Sequence, residues 1–403
     1  NTTILYWYPG CLSILALIIL CTDSIFAQNC RPQLYQLTSV NQVLNISSPN
    51  YPGAFPTGSS CRYRILAPLD HIVVLNCIYE LYPNVCRSTD YFQLSRDGDL
   101  QFRDASTYCA TSVIRSTSHF REIAFGYQTS IMSQQRGRFF CQATARVQRC
   151  DCGWSQPTRI TNGKEAAMHE YPSMVALRNV RSNQRVFCGG SIVSHRMILT
   201  AAHCMQVQPD PRLIMAHVGD HDLSTSESRY AMERGIQRIL KHPGYSANTM
   251  ANDIALLVTL NNIEWSRGVG PICLPWRQSA ESFAYVNVDV AGWGTLSFAG
   301  MKSNTLQKVE LLTMDNRICQ QQYNNTPILA SQLCTYDFQG LGQDSCQYDS
   351  GGPVIYKQQR MFLVGIISYG RSCGARYGIG INTRTTTHLN WLSNNLAGAA
   401  CVA

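Results

Sequence analysis

The stretch CQYDSGGP, residues 346–353, places Ser350 after an aspartate and before two glycines. A serine hydroxyl becomes an effective nucleophile only when a general base stands within hydrogen-bond reach. When that base is an imidazole, a carboxylate holds it in the right tautomer and stabilises its cation. If Ser350 is a nucleophile, a histidine and an aspartate from elsewhere in the chain must therefore supply the base and the carboxylate.

Two other stretches supply these groups. TAAHC, residues 200–204, contains His203, and NDIALL, residues 252–257, contains Asp253. Together with Ser350 they provide a base, an orienting carboxylate and a nucleophile, once each. The three residues are therefore predicted to be the catalytic set of a peptide hydrolase.

Residues 160–397 resemble a trypsin-like serine protease of the chymotrypsin fold. The resemblance rests on the three stretches above and also on FCGGSIVS (187–194) and AGWGT (291–295). It implies an all-β fold with two six-stranded antiparallel barrels and the catalytic set in the cleft between them. The end of the chain, TTTHLNWLSNNLAG (385–398), is predicted to be a helix.

The resemblance also implies that the chain is made as a zymogen. The matching activation bond is Arg159-Ile160, at the end of a short, polar, proline-bearing linker of residues 148–159. After cleavage, the α-amino group of Ile160 would turn inward and pair with Asp349. This pairing would order both the specificity pocket and the oxyanion hole.

By the same resemblance, Asp344 lies at the floor of the specificity pocket, next to Ser345. Gly370 and Gly380 match its open walls, and Ser368 begins the stretch that pairs with the substrate backbone as an extra strand. A carboxylate at the bottom of a narrow pocket favours a long cationic side chain. Cleavage after arginine or lysine is therefore expected.

The oxyanion hole is expected to use the backbone N–H groups of Tyr348 and Ser350. Relatives carry glycine at the first position, because glycine turns its N–H toward the oxyanion without a Cβ penalty. Tyrosine there would add about 1 to 3 kcal/mol of local strain or turn one donor away. A protease of restricted specificity is the preferred interpretation, a catalytically impaired homologue is the second, and an ordinary digestive trypsin is the third.

Residues 30–147 consist of short strand-like runs, such as HIVVL (71–75) and EIAFGY (122–127), between turn-rich stretches. This pattern predicts a small antiparallel β-sandwich. The stretches CRYRILAP (61–68) and GRFFCQA (137–143) make the segment similar to a CUB domain. The similarity implies a protein partner, whose identity the sequence leaves open.

Many CUB domains bind calcium through one glutamate and two aspartates. Glu80 and Asp90 match two of these positions, but the third falls near Gln128 and Thr129, which carry no carboxylate. An incomplete set attracts a hard cation weakly, so calcium is not expected there. GDHDL (219–223) lies where related proteases carry a calcium loop, and a polar turn explains it equally well. The proposed chemistry itself requires no cofactor.

The two resemblances also imply how the cysteines pair in an oxidising compartment. In the protease, Cys273 is expected to reach back to either Cys150 or Cys152. A zinc site at Cys150-Asp151-Cys152 is not expected, because no second pair of ligands completes a tetrahedral set. The other implied disulfides are Cys30–Cys61, Cys86–Cys109, Cys188–Cys204, Cys319–Cys334 and Cys346–Cys373. Cys77 and Cys141 remain and are expected to form an extra bridge between strands.

Residues 1–27 are predicted to be a removable signal peptide. The apolar stretch CLSILALIIL (11–20) is followed by a polar patch and by Ile25-Phe26-Ala27, after which a signal peptidase could cut. A signal anchor is the alternative. Pro9-Gly10 interrupts the uncharged run, however, and the part that remains is short for a bilayer. The sequence therefore predicts a secreted protein without a membrane span.

Charge and glycosylation signals fit an extracellular protein. Charged residues make up only 14% of the chain, and the formal net charge of +8 is spread without a Lys/Arg run. No nucleic-acid partner is therefore predicted. Asn45 in NIS and Asn324 in NNT are predicted glycosylation acceptors, provided that the chain is secreted.

A CUB domain joined by a Cys-x-Cys-Gly linker to a trypsin-like protease is most similar to insect proteases, especially those of bee and bumblebee venom. The similarity implies a protease that acts on clotting or phenoloxidase-cascade proteins and is itself switched on by an activating protease. Venom and haemolymph both fit as its origin. The alternative from another class is a binding protein or adaptor whose CUB domain supplies the main activity.

Overall fold

The computed structural model describes residues 30–396, apart from 69–70, 83–88, 134–135, 148–150, 156–164, 182–184, 226–227, 295–301, 324–326, 341–348 and 371–377. Several predictions therefore lie outside the described residues: the signal peptide, the acceptor Asn324, and the sites at Arg159, Ile160, Asp344, Ser345 and Tyr348. The same holds for Cys86, Cys150, Cys346 and Cys373.

Strict alternation of buried and exposed side chains builds the N-terminal β-sandwich. In the central strand β4, every second residue from Val73 to Leu81 is buried. One sheet has the strand order β1-β3-β8-β5-β6 and the other β2-β9-β4-β7. The strands are β1 Gln33–Gln36, β2 Val43–Ser47, β3 Ser60–Leu66, β4 His71–Tyr82, β5 Tyr91–Ser95, β6 Ser106–Tyr108, β7 Ser112–Thr117, β8 Glu122–Gln128 and β9 Arg136–Val147.

Aromatic rings from both sheets meet in the core of the sandwich. Phe139 of the second sheet packs edge-on against Tyr63 and Phe92 of the first, with ring centroids 5.5 and 5.7 Å apart. Such pairs add to the burial of apolar surface that holds the two sheets together. The predicted sandwich is therefore present and has a hydrophobic core of its own.

The second half of the chain forms two closed six-stranded antiparallel barrels, as predicted. The first barrel has the order β10-β11-β12-β15-β14-β13 and the second has the order β16-β17-β18-β21-β20-β19. The first is built from β10 Met174–Asn179, β11 Arg185–Ser194, β12 Met197–Thr200, β13 Ile214–Val218, β14 Met232–Lys241 and β15 Ala255–Thr259. The second is built from β16 Asn287–Gly292, β17 Gln307–Met314, β18 Gln332–Tyr336, β19 Pro353–Lys357, β20 Met361–Gly370 and β21 Ile379–Arg384.

Helices are few and short in the described part of the chain: α1 Cys204–Val207, α2 Asn316–Gln322 and α3 Leu389–Leu396, with 3-10 turns at Pro211–Leu213 and Thr386–His388. The predicted C-terminal helix is α3. It buries Leu389, Leu392 and Leu396, whose spacing places them on one face, in the same cluster as the core of the first barrel. None of the described helices combines the length and the apolar character that crossing a bilayer demands.

The described residues contain five of the expected disulfides. Cys273 pairs with Cys152, which settles the choice that the sequence left open. The others are Cys30–Cys61, Cys77–Cys141, Cys188–Cys204 and Cys319–Cys334. Cys109 is also disulfide-bonded.

Ion pairs join the sandwich to the first barrel. Asp97 and Asp99 follow β5, and their oxygens lie 2.8 Å from Arg267 Nη2 and 2.7 Å from Arg229 Nη1. The side chains of the two aspartates are only 1% and 5% exposed, so the pairs are largely shielded from water on the acidic side. Nearby, the ring of Phe120 packs on Trp154 of the linker, with centroids 5.4 Å apart.

The two aspartates are ionised over a wide pH range. Burial opposes ionisation of Asp97, but a hydrogen bond from His119 and the charge of Arg267 outweigh it and lower its pKa. Burial likewise opposes ionisation of Asp99, whose pKa is lowered by Arg103 and by the Gln101 N–H. A lowered pKa means that the pairing is present at neutral pH and is lost as the pH falls through the folded-state pKa values.

Removing both arginines is expected to loosen the attachment of the sandwich. The two arginines are 29% and 40% exposed, so water screens each pair from the basic side and leaves about 1 kcal/mol for each. The double variant Arg229→Gln/Arg267→Gln should therefore raise the fraction of molecules whose sandwich is detached from the first barrel by about 5- to 30-fold. The measurement is the rate at which an added protease cuts the linker, in a background with Ser350→Ala to prevent autolysis.

Arg212→Gln is the matched control for this experiment. Arg212 is 85% exposed and pairs with Asp210, only two residues away, so its ion pair does not join the two domains. The control should leave the cutting rate unchanged. An unchanged rate in the double variant would mean that the pairs of Arg229 and Arg267 do not hold the domains together.

Candidate active site

Strand pairing brings His203 and Asp253 together. Strand β12 runs into the turn that carries His203, and its last residue Thr200 pairs with Ala255, two residues after Asp253. The Asp253 carboxylate then accepts from the backbone N–H of His203 at 2.8 Å and contacts its Nδ1 at 2.7 Å. Because Nδ1 donates to the carboxylate, the lone pair of the neutral ring is on Nε2.

The second barrel holds the carboxylate in place. Ser368 in β20 donates its hydroxyl to Asp253 Oδ2 at 2.5 Å, and Thr383 in β21 donates to the Asp253 carbonyl at 2.8 Å. Asp253 is fully buried, and a buried carboxylate needs such partners. Ser368 was expected only to begin the stretch that pairs with the substrate backbone, and its support of Asp253 has no signal in the sequence.

The backbone of Ser350 is fixed beside Cys204, the residue that follows His203. Its carbonyl accepts from Gly189 N in β11 at 2.8 Å and lies 3.6 Å from Cys204 Sγ. The next residue, Gly351, has φ of +80°, and a Cβ there would overlap Thr200 Oγ1. Only glycine fits this position, which explains the residue that follows the serine in the motif.

Cys188, His203 and Cys204 bring three metal-binding atoms close together. The two cysteines form a disulfide, so neither is available as a thiolate ligand. The disulfide instead ties strand β11 to the helix that follows His203. Its place next to the imidazole therefore serves the structure of the site.

Asp349 lies in a recess formed by two glycines. Gly294 N donates to its Oδ1 at 2.8 Å, and a Cβ on either Gly292 or Gly294 would overlap the carboxylate. The AGWGT stretch was noted in the sequence only as part of the resemblance. The structure gives its glycines a physical reason: they let the carboxylate approach the backbone.

The two predicted wall residues of the specificity pocket are neighbours in the second barrel. Gly370 ends β20 and pairs in register with Gly380 in β21. Adjacent residues without side chains leave open space beside the strand. The predicted floor, Asp344 and Ser345, lies outside the described residues.

The residues considered for calcium are engaged by the protein. Glu80 pairs with Arg138, and Asp90 accepts from Ser130 N at 3.0 Å and from Ser133 Oγ at 2.9 Å. An arginine beside one candidate ligand repels a cation. That calcium is not bound here stays a prediction from the incomplete ligand set.

In the GDHDL stretch, the carboxylates likewise have partners from the protein. Asp220 accepts from His217 Nε2 at 3.0 Å, and Asp222 accepts from the backbone N–H and the hydroxyl of Ser224 at 2.9 and 2.6 Å. Both carboxylates of the stretch therefore have hydrogen-bond partners within the protein.

Comparison with known proteins agrees with this geometry. The family model Trypsin matches residues 160–392. Venom serine protease 34 of Apis mellifera is 33% identical over 374 residues, covering 89% of this chain and 86% of the relative. The venom serine protease of Polistes dominula is 36% identical over 262 residues, covering 64% of this chain and 92% of the relative.

A third relative is named for clotting: the clotting factor G beta subunit of Tachypleus tridentatus, 31% identical over 267 residues, covering 62% of this chain and 85% of the relative. The family match covers more than half of this chain, and the described residues include the histidine–aspartate pair, Ser350 and both barrels. The chain therefore belongs to the trypsin family and is a serine endopeptidase.

Proposed function

We propose that this protein is a secreted zymogen that, once activated, cleaves peptide bonds after arginine or lysine with restricted specificity. The observation that carries the proposal is the bond between His203 Nδ1 and Asp253 Oδ2 at 2.7 Å, beside the fixed backbone of Ser350. This arrangement leaves Nε2 as the base. Acyl transfer to a serine requires this tautomer of the histidine.

The reaction follows from these roles. His203 takes the proton of the Ser350 hydroxyl as the oxygen attacks the scissile carbonyl, and it later gives that proton to the leaving amine. Asp253 stays ionised and stabilises the imidazolium. The N–H groups of Ser350 and Tyr348 would stabilise the oxyanion.

Preference for arginine and lysine rests on the sequence position of Asp344, six residues before Ser350. The in-register pair Gly370 and Gly380 supports the proposal, because it gives a long side chain room to pass. A carboxylate beyond that opening would bind a guanidinium by charge-assisted hydrogen bonds.

The zymogen proposal rests on the Arg159-Ile160 bond and on the recess around Asp349. The disulfide Cys152–Cys273 connects the linker to the protease domain. A cut after Arg159 would therefore leave the N-terminal sandwich covalently attached. The sandwich would then act wherever the protease acts.

Secretion is supported by the apolar N-terminal stretch and by the disulfides, which form in oxidising compartments. Relatives named for venom and for clotting support an extracellular cascade protease with protein substrates and an activating protease. We further propose that the sandwich is a CUB domain that binds a protein partner, and that neither calcium nor another cofactor is needed.

The test begins with the purified zymogen cut at Arg159-Ile160. A fluorophosphonate should label Ser350 close to one group per chain after the cut and far less before it. Turnover of a small arginine amide should appear with the label. The uncut zymogen is the control, and the two pieces should separate on a gel only after reduction.

A second candidate function is favoured by Tyr348. If this residue removes an oxyanion donor, the chain would be an impaired protease homologue that acts as a binding protein through the sandwich. In that case the cut chain would neither be labelled nor turn over the amide. That result would overturn the proposed catalytic function.

A further inference from the structure

The outer face of the four-stranded sheet carries a row of apolar side chains. Cross-strand pairing aligns Phe140 of β9 with Ile78 of β4, and Ile78 with Val113 of the edge strand β7. Ile78 is 48% exposed and Val113 is 69% exposed. The ring of Tyr51, which is 44% exposed, packs on Phe140 at a centroid distance of 5.6 Å. These four side chains are called the apolar row.

This row is unusual for its position. The outward face of an antiparallel sheet in a sandwich normally carries polar side chains, while the apolar face packs on the core. Contiguous exposed apolar side chains mark a surface that something covers. Val113 also stands on an edge strand, where uncovered apolar residues favour pairing with another chain.

Asn45 lies on the same face, one row away. It pairs in register with Gln142, while Ser47, two residues along β2, pairs with Phe140. Two residues along a strand span about 7 Å, so Asn45 and Phe140 are diagonal neighbours. Asn45 is exposed, as is Ser47, the hydroxyl residue of the Asn-Ile-Ser acceptor motif.

The hydrogen bond of Asn45 is compatible with glycosylation. Its Oδ1 accepts from Gln142 Nε2 at 3.2 Å, whereas a sugar attaches to Nδ2. The bond holds the side chain against the outer face of the sheet. A glycan that starts here therefore begins within reach of the apolar row.

We propose that Asn45 carries an N-linked glycan whose first sugars pack on Phe140 and Tyr51 and cover the apolar row. A pyranose ring has a face of C–H groups that packs well on an aromatic ring, while its hydroxyl groups remain in water. The glycan would thus replace an exposed apolar surface by a polar one. This inference rests on the secretion proposed above, because the sugar is added in the secretory pathway.

One consequence concerns the partner of the sandwich. A glycan on this face blocks access to Phe140 and Ile78. A protein partner would therefore bind another surface of the first domain.

The experiment uses the full-length chain, secreted from insect cells behind a heterologous signal peptide. Ser47→Ala removes the acceptor motif but keeps Asn45 and its hydrogen bond, and Asn324→Gln removes the other predicted acceptor as a matched control. Peptide mass mapping should find a glycan on Asn45 in the unaltered chain. Ser47→Ala should bind bis-ANS at least about twofold more strongly and self-associate in sedimentation velocity.

A second variant links any such change to the apolar row. Adding Ile78→Thr and Val113→Thr to Ser47→Ala should return dye binding and sedimentation to those of the unaltered chain. The inference is overturned if Asn45 carries no glycan, or if Ser47→Ala behaves like Asn324→Gln. Export with the chain's own N-terminal segment, measured separately, tests secretion without affecting this result.

Discussion

Replacing Asp253 with asparagine is expected to lower kcat of the activated enzyme on an arginine amide by about 10⁴-fold. The carboxylate accepts from His203 Nδ1, so it fixes the proton on that nitrogen and leaves Nε2 as the base. An amide of the same size can donate to Nδ1 instead, which places the proton on Nε2. The base then faces the wrong way, although the fold and substrate binding are unchanged.

Active-site titration and steady-state kinetics at neutral pH measure this effect, and KM should stay within a few-fold of the unaltered enzyme. Ser368→Ala is the control, because it removes one hydrogen bond to the same carboxylate and leaves the charge. Ser368→Ala should lower kcat by about tenfold to a hundredfold. If Asp253→Asn loses no more than Ser368→Ala, the assigned role of Asp253 is wrong.

The catalytic pair could be predicted from sequence because each residue lies within its own motif. His203 and Asp253 are 50 positions apart, and nothing local requires them to meet. The resemblance supplied the two barrels, and the ladder between β12 and β15 supplies the contact. In the first domain, short strand-like runs between turn-rich stretches predicted the sandwich without any resemblance, and the structure shows the alternation of buried and exposed side chains that builds it.

Contacts that cross between barrels escaped the sequence analysis. Ser368 reaches Asp253 over 115 positions, and a serine within a strand gives no local sign of such a partner. The same holds for the glycines that surround Asp349, since close approach is a property of the folded backbone. The choice between Cys150 and Cys152 also depended on geometry, because both lie in the same short linker.

The attachment of the sandwich to the first barrel was not predicted either. Asp97 and Asp99 stand in a polar turn, and charges in such turns are usually solvated. In the structure they are nearly buried against Arg229 and Arg267. A charge that faces another domain looks the same in the sequence as one that faces water.

Replacing Tyr348 with glycine is expected to increase the affinity of a large protein inhibitor of trypsin-like enzymes by about 5- to 150-fold. If the phenol overhangs the leaving-group side of the site, a rigid inhibitor must displace it, at about 1 to 3 kcal/mol. A small arginine amide has nothing on that side to collide with the ring. Its kcat/KM should therefore change much less than the inhibition constant.

Tyr348→Phe is the matched control, because it keeps the ring and removes only the hydroxyl, and it should stay as resistant as the unaltered enzyme. Tight inhibition of the unaltered enzyme would contradict the restricted-protease interpretation. The catalytic activity of the unaltered enzyme would be contradicted if only Tyr348→Gly were labelled by the fluorophosphonate and turned over the amide. Then tyrosine would have removed an oxyanion donor, worth about a hundredfold to a thousandfold in rate, and the function of the native chain would lie in binding.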